Sequence, residues 1–201
     1  MKKLFILLTG VAIAAVTTAQ AIVSPQTLDN LNSAFQGESN AAHRYEAFAK
    51  KADTEGYAYV ARLFRAASKA ESIHRETHKK AILELGGKIK DFKLDEVKAG
   101  TTAENLQAAI KGESYERDTM YPEFIALAKK DGAKAAIRTL LYAQKAEVEH
   151  ARLYKDALDN LGRNVDLPIY VCKVCGYTVT KLTGNNCVSC REPVSNYERV
   201  D

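Results

Sequence analysis

The chain has 201 residues, 46% of them hydrophobic, and a formal net charge of +4 at pH 7. That apolar content suffices for one sizeable core, or for a core with a small appended domain. Acidic and basic residues alternate (Lys129, Lys130, Asp131; Glu147, Glu149, Arg152), so no basic stripe of the kind that grips nucleic acid is present.

Residues 1–21 differ from the rest. Lys2 and Lys3 precede an apolar run of 13 residues, 4–16, and Ala19-Gln20-Ala21 follows as a small-x-small cleavage site. The run is shorter than the ~20 residues that span a bilayer. No cysteine lies beside the cleavage site and no arginine pair precedes the run. The segment reads as a cleaved secretory signal, with an uncleaved anchor as the alternative. Export to a periplasm is therefore expected, with no membrane span after cleavage. Loss of Lys2 and Lys3 lowers the net charge from +4 to +2.

Ser24-Pro25 marks a helix start, a capping hydroxyl followed by proline in the first turn. Leu28, Leu31, Ala34, Phe35, Ala42, Tyr45 and Ala49 then recur at helical spacing to about residue 54. A second helix is expected from about 57 to 85, stopped by Gly86-Gly87. Residues 88–100 form a charged connection long enough to cross the end of a bundle. Thr101-x-x-Glu104 opens a third helix as a capping box, Pro122 should kink it, and Asp131-Gly132 turns into a fourth that ends near Gly162. Beyond Pro168 the texture becomes short and β-prone, at 169–171 and 177–180. The expected organisation is 1–21 signal, 22–165 all-α four-helix bundle, and 166–201 a small β-rich domain.

The helices carry a faint internal repeat. Gln36-Gly37-Glu38-Ser39 echoes Lys111-Gly112-Glu113-Ser114, and Glu71-x-x-His74 echoes Glu147-x-x-His150. Residues three apart share a helix face, so each Glu-x-x-His pair points one way. Two such pairs on alternate helices, with one Glu on each remaining helix, form the ligand pattern of ferritin-like di-iron carboxylate bundles. Anionic oxygens neutralise and bridge two irons, and neutral imidazole completes each. Glu38 and Glu113 would be terminal ligands, Glu71 and Glu147 bridges, and His74 and His150 one nitrogen each. Glu116 breaks the symmetry, because Ala41 stands at its counterpart. It is either a seventh ligand or a surface charge. His43 and His78 are expected at the surface, with a place behind the ligands as the alternative for His78, four residues after His74.

Cys172-x-x-Cys175 and Cys187-x-x-Cys190 have the spacing of two metal knuckles. Four cysteines in an exported chain ordinarily suggest disulfides, but this spacing suits tetrahedral thiolate coordination of iron or zinc.

Taken together, the sequence from residue 22 onward resembles the rubrerythrins. The motifs are Gly37-Glu38-Ser39, Ala70-Glu71-x-x-His74, Gly112-Glu113-x-x-Glu116, Met120-Tyr121-Pro122-Glu123-Phe124, Ala146-Glu147-x-x-His150 and the rubredoxin-like cysteines. The resemblance implies a peroxidase that reduces hydrogen peroxide to water at two irons, fed one electron at a time through an FeS4 centre. It implies that Glu116 and His74 trade places on one iron, that Tyr45 and Tyr121 stand behind the ligands, and that chains pair head to tail as homodimers. Val188 and Arg191 occupy positions where rubredoxin-type knuckles often carry Pro and Gly, which keeps zinc open for the four-cysteine site. The electron donor is not identified by the sequence. The competing functions are a ferritin-type iron-binding or iron-oxidising protein and a peroxide-sensing electron carrier.

Overall fold

The computed structural model describes residues 23–201; the expected signal segment, 1–21, lies outside the described residues. Five α-helices come first: α1 Pro25–Thr54, α2 Ala58–Glu84, α3 Thr102–Tyr115, α4 Tyr121–Lys130 and α5 Lys134–Asp159. Helices α3 and α4 are one rod, joined by a π-helical turn, Glu116–Met120. The bundle thus has four rods in two hairpins.

The start of α1 is fixed by its cap. Ser24 accepts from the Thr27 amide, and Asp131 of the second hairpin accepts from the Ser24 amide at 3.1 Å and the Thr27 hydroxyl at 2.7 Å. Gly56 closes the α1–α2 hairpin at φ +82°, a left-handed conformation that costs glycine little. The crossover after α2 is stitched to α1: Asn32 donates to the Lys88 carbonyl and accepts from the Lys90 amide. The capping box at Thr101 and Glu104 forms with both reciprocal bonds.

Pro122 acts differently from the simple kink expected. It has no N–H for the carbonyl four residues back, and its ring crowds that carbonyl. The rod widens instead, and the Tyr121 amide reaches the Glu116 carbonyl, five residues away.

Two apolar clusters fill the bundle. One contains Tyr45, Phe48, Phe64, Leu106, Leu153 and Tyr154; the other contains Leu31, Ile82, Tyr121, Ile125 and Leu140. On every rod the carboxylates and histidines fall between the two sets, so they form a polar layer clamped by hydrophobic packing on both sides.

The C-terminal module is a three-stranded antiparallel sheet of order β2-β1-β3, with β1 Ile169–Cys172, β2 Thr178–Val179 and β3 Tyr197–Val200. Ile169 and Val171 are fully buried in the first apolar cluster. The module therefore packs on its own chain's bundle through hydrophobic contact. Exposed pairs such as Lys69–Glu198, 2.6 Å apart, add little. Among the described residues, no helix is long and apolar enough to cross a membrane.

Candidate metal centres

Four helices aim one buried carboxylate each into the polar layer. Glu38, Glu71, His74 and Glu147 bring one donor atom apiece within 4.8 Å of one another, and so do Glu71, Glu113, Glu147 and His150. The two groups share Glu71 and Glu147, with Glu38 and His74 on one flank and Glu113 and His150 on the other.

The histidines are oriented in the same way. Nδ1 of His74 lies 2.8 Å from Glu71 Oε2, and Nδ1 of His150 lies 2.8 Å from Glu147 Oε2. Their Nε2 atoms face outward, to the Cys175 carbonyl at 3.1 Å and the Thr178 hydroxyl at 3.0 Å. Metal-binding histidines commonly donate the second ring N–H in this manner, which fixes ring orientation and tautomer.

The donor set fits two metal ions. Each of Glu38, Glu71, Glu113 and Glu147 leaves one buried oxygen without a hydrogen-bond partner. A buried carboxylate oxygen without a partner is costly unless a cation takes it up. The charges point the same way. Burial pushes the Glu38 and Glu113 carboxyls well above their ordinary range, and the neighbouring carboxylates push them further. Burial opposes protonation of His150, yet Glu71 and Glu147 outweigh it and carry the ring up to about 10. Without metal, protons supply the missing positive charge.

Glu116, the first residue of the π turn, belongs to neither four-residue group. Its carboxyl is pushed up to about 8, by burial first and then by Glu147 and Glu71. It is thus coupled to the shared carboxylates while standing off from them. π turns recur at functional sites because they re-aim a side chain within a helix.

Tyr121 donates to Glu38, and Tyr45 donates to Glu113, each tyrosine serving the carboxylate of the other hairpin. Both rings are buried.

His43 is exposed, as expected. His78 is not: it is fully buried, 2.9 Å from the Thr139 hydroxyl and 3.3 Å from the Tyr121 hydroxyl. Burial, and then His74, push it down to about 3, so it is neutral. Its position four residues after His74 is the signal that places it on the inward face. Tyr154, four residues after His150, is the second residue that sequence reasoning passed over; it is buried, with its ring 6.3 Å from His150.

The four cysteines converge in the C-terminal module as free thiols. Cys172 and Cys190 sulfurs are 3.8 Å apart, and Cys175 and Cys187 sulfurs 3.7 Å. A tetrahedral site with metal–sulfur bonds of about 2.3 Å has sulfur–sulfur edges of about 3.8 Å, so the cluster matches a closed thiolate site. The Tyr197 hydroxyl donates to Cys187 at 3.2 Å. The knuckles are parallel: the Gly176 amide bonds the Cys172 carbonyl, and the Arg191 amide bonds the Cys187 carbonyl. Gly176 sits at φ +76° and Arg191 at +69°, so Arg191 holds a glycine's conformation without being one.

A family model described as Rubrerythrin matches residues 29–158. Rubrerythrin-2 of Clostridium acetobutylicum is 35% identical over 179 residues, which cover 85% of this chain and 94% of that protein. A solved structure of nigerythrin in a mixed-valent state is similar with a TM-score of 0.79 and 28% identity, covering 96% of this chain and 100% of that one. An open-pore ferritin from Archaeoglobus fulgidus shares the bundle fold, with a TM-score of 0.63 at 18% identity over 71% of this chain and 90% of that one.

Proposed function

Since the chain belongs to the rubrerythrin family of di-iron proteins, we propose that it is a non-haem peroxidase reducing hydrogen peroxide to water. Peroxide takes up two electrons and two protons and leaves as two waters. Iron in the paired carboxylate site would supply those electrons together, and iron in the four-cysteine site would restore them one at a time. Zinc in the four-cysteine site would break that supply.

In this reading Glu38 and His74 would hold one metal and Glu113 and His150 the other, with Glu71 and Glu147 shared by both groups. Tyr121 and Tyr45 orient the terminal carboxylates by donating to them. Glu116, in the π turn beside the shared carboxylates, would offer a further negative charge to the metal that His74 holds, which suits the oxidised site. His74 would offer a neutral nitrogen, which suffices for the reduced site.

The observation that carries the proposal is the docking of the cysteine module on the paired site. The carbonyl of Cys175 accepts from His74 Nε2 at 3.1 Å, and Thr178, between the knuckles, meets His150 at 3.0 Å. Both histidines are thus touched by the module that carries the thiolates. A protein that merely stores or oxidises iron has no need of such a port.

The proposed assembly is a homodimer arranged head to tail. The module rests on its own bundle here; exchange of the 160–168 linker between two chains would preserve the same Cys175–His74 contact. Mixing a Cys172→Ser chain with a Glu71→Ala chain tests this, since turnover returns only where the module serves a partner. The proposed location, outside the cytoplasmic membrane, rests on residues 1–21. The donor would be a one-electron carrier of that compartment.

Metal analysis of the purified protein with a peroxide-consumption assay tests the function. Three irons per chain and reductant-dependent peroxide loss are expected. Two irons with zinc and no peroxide loss would contradict it.

A further inference from the structure

Gly37 and Gly112 occupy the same position in the two hairpins, each one residue before a terminal carboxylate, and both lie inside a helix. Glycine there costs stability relative to alanine, because it gives up more conformational freedom on folding. Neither usual reason for a glycine applies. Both are absent from the glycines with positive φ. Nor does a neighbouring element crowd them. Outside its own helix, a Cβ built at Gly37 meets only Glu116 Oε1, at 4.0 Å, and one built at Gly112 meets only Arg44 Nη2, at 4.0 Å. Alanine would fit at either position. A longer side chain would lie over Glu116 or over the Arg44 guanidinium.

Both glycines face one seam of the bundle. Helix α1 packs chiefly on α2, α3 on α5, and α5 on α2, which leaves the seam between α1 and the α3–α4 rod the most loosely packed of the four. The cysteine module covers the opposite seam, between α2 and α5, where it meets both His74 and His150. Glu116, facing Gly37 across the loose seam, is half-buried, whereas Glu38, Glu71, Glu113, Glu147, His74 and His150 are at most 1% exposed. Of the charged groups around the paired site, Glu116 is therefore the one that solvent reaches.

We propose that the seam between α1 and α3 is the route by which hydrogen peroxide reaches the paired site, and that Gly37 and Gly112 keep it bare and set the size of hydroperoxide admitted. The proposal rests on the peroxidase reading for the identity of what passes. The lining suits that molecule: Glu116 accepts hydrogen bonds and Arg44 donates them, and hydrogen peroxide carries both O–H donors and lone pairs. Electrons and peroxide then arrive from opposite sides of the bundle, which keeps the thiolates out of the oxidant's path.

The test is a graded series, Gly37→Ala and Gly37→Val, with Gly112→Val for the Arg44 side. Iron content and absorption spectrum should match the unmutated protein in each. Oxidation of the reduced paired site by hydrogen peroxide should slow slightly in Gly37→Ala and several-fold in Gly37→Val and Gly112→Val. The ratio of the hydrogen peroxide rate to the tert-butyl hydroperoxide rate should rise along the series. A Gly37→Val variant as fast as the unmutated chain overturns the route, and an unchanged ratio overturns the size filter.

The iron-free full chain supplies a second readout. A water-soluble carbodiimide with glycinamide should label Glu116 ahead of Glu38, Glu71, Glu113 and Glu147. Gly37→Val should slow that labelling while exposed Glu123 reacts as before. Labelling of Glu116 no faster than of the four buried carboxylates overturns the open seam, whether or not the variants take up iron. If hydrogen peroxide fails to oxidise the unmutated reduced chain, the peroxidase reading falls, and the labelling alone decides whether the seam opens on the site.

Discussion

Nε2 of His74 donates to the backbone carbonyl of Cys175 at 3.1 Å, while Nδ1 of the same ring faces Glu71 at 2.8 Å. One imidazole therefore touches both the thiolate module and the carboxylate layer. The contact depends on Gly176. A Cβ built there would lie 2.8 Å from His74 Cδ2 and 3.0 Å from the Ala70 carbonyl oxygen, at a φ of +76°. Neither the buried ring nor the helix backbone can give way, so the module would have to move.

Gly176→Ala should accordingly leave the paired site loaded but separate the two centres. Stopped-flow spectroscopy should show the four-cysteine centre reduced by an artificial donor as fast as before, with electron passage to the di-iron site slowed because the module no longer seats on His74. Undiminished passage would mean that the docking contact is incidental.

Arg191 makes the opposite case. It holds φ +69° at the glycine position of the second knuckle, and its side chain is exposed. A left-handed backbone costs a non-glycine residue about 1–2 kcal/mol, and glycine returns roughly 0.5–1 kcal/mol through its freer unfolded state. Arg191→Gly should stabilise the module by about 0.5–1 kcal/mol. Resistance of the four-cysteine chromophore to denaturant should rise; a fall would show that the arginine side chain contributes something its exposure does not suggest.

Iron removal should give the protein a distinctive pH response. In the iron-free chain Glu116 titrates at about 8 against an ordinary value of 4.5, and His150 at about 10 against 6.5. Both folded-state values are raised, so between pH 6.5 and 10 the native state holds protons that the unfolded chain has released. Stability therefore falls as pH rises through that window. Thermal unfolding of chelator-treated protein should show Tm declining from pH 6.5 to 10, and iron loading should flatten the decline. A Tm that climbs with pH in the iron-free chain would contradict the charge assignment.

Much of this architecture was legible in local spacing. The Glu-x-x-His pairs, Glu38 and Glu113 announce a shared helix face, because three residues on a helix return to nearly the same direction, and the structure gathers them into one layer. Caps at Ser24 and Thr101 mark helix starts through short-range hydrogen bonds. What was not legible depends on partners distant in sequence. His78 read as a surface residue because its fate is set by Thr139 and Tyr121, 61 and 43 residues away. Strand β3, Tyr197–Val200, carries Glu198 and Arg199 on an exposed edge and is a strand through its pairing with β1. The π turn arises where Pro122 denies the backbone an α-helical bond, and a kink was the simpler expectation. Docking of the module on its own bundle follows from Ile169 and Val171 finding the apolar cluster, which no short motif records.

The most direct measurement follows the colour of the four-cysteine centre after peroxide is mixed with fully reduced protein. Glu71→Ala removes a carboxylate shared by both metal groups and should abolish di-iron loading while leaving the thiolate site intact. In the unmutated chain peroxide should reoxidise the four-cysteine centre rapidly, since the proposed function has its electrons pass to the paired site, which the module touches at His74. In Glu71→Ala that centre should stay reduced over the same interval. Equal reoxidation in both proteins would show that peroxide reacts elsewhere than at the paired site, and the account of the carboxylate layer as the place of peroxide reduction would be wrong.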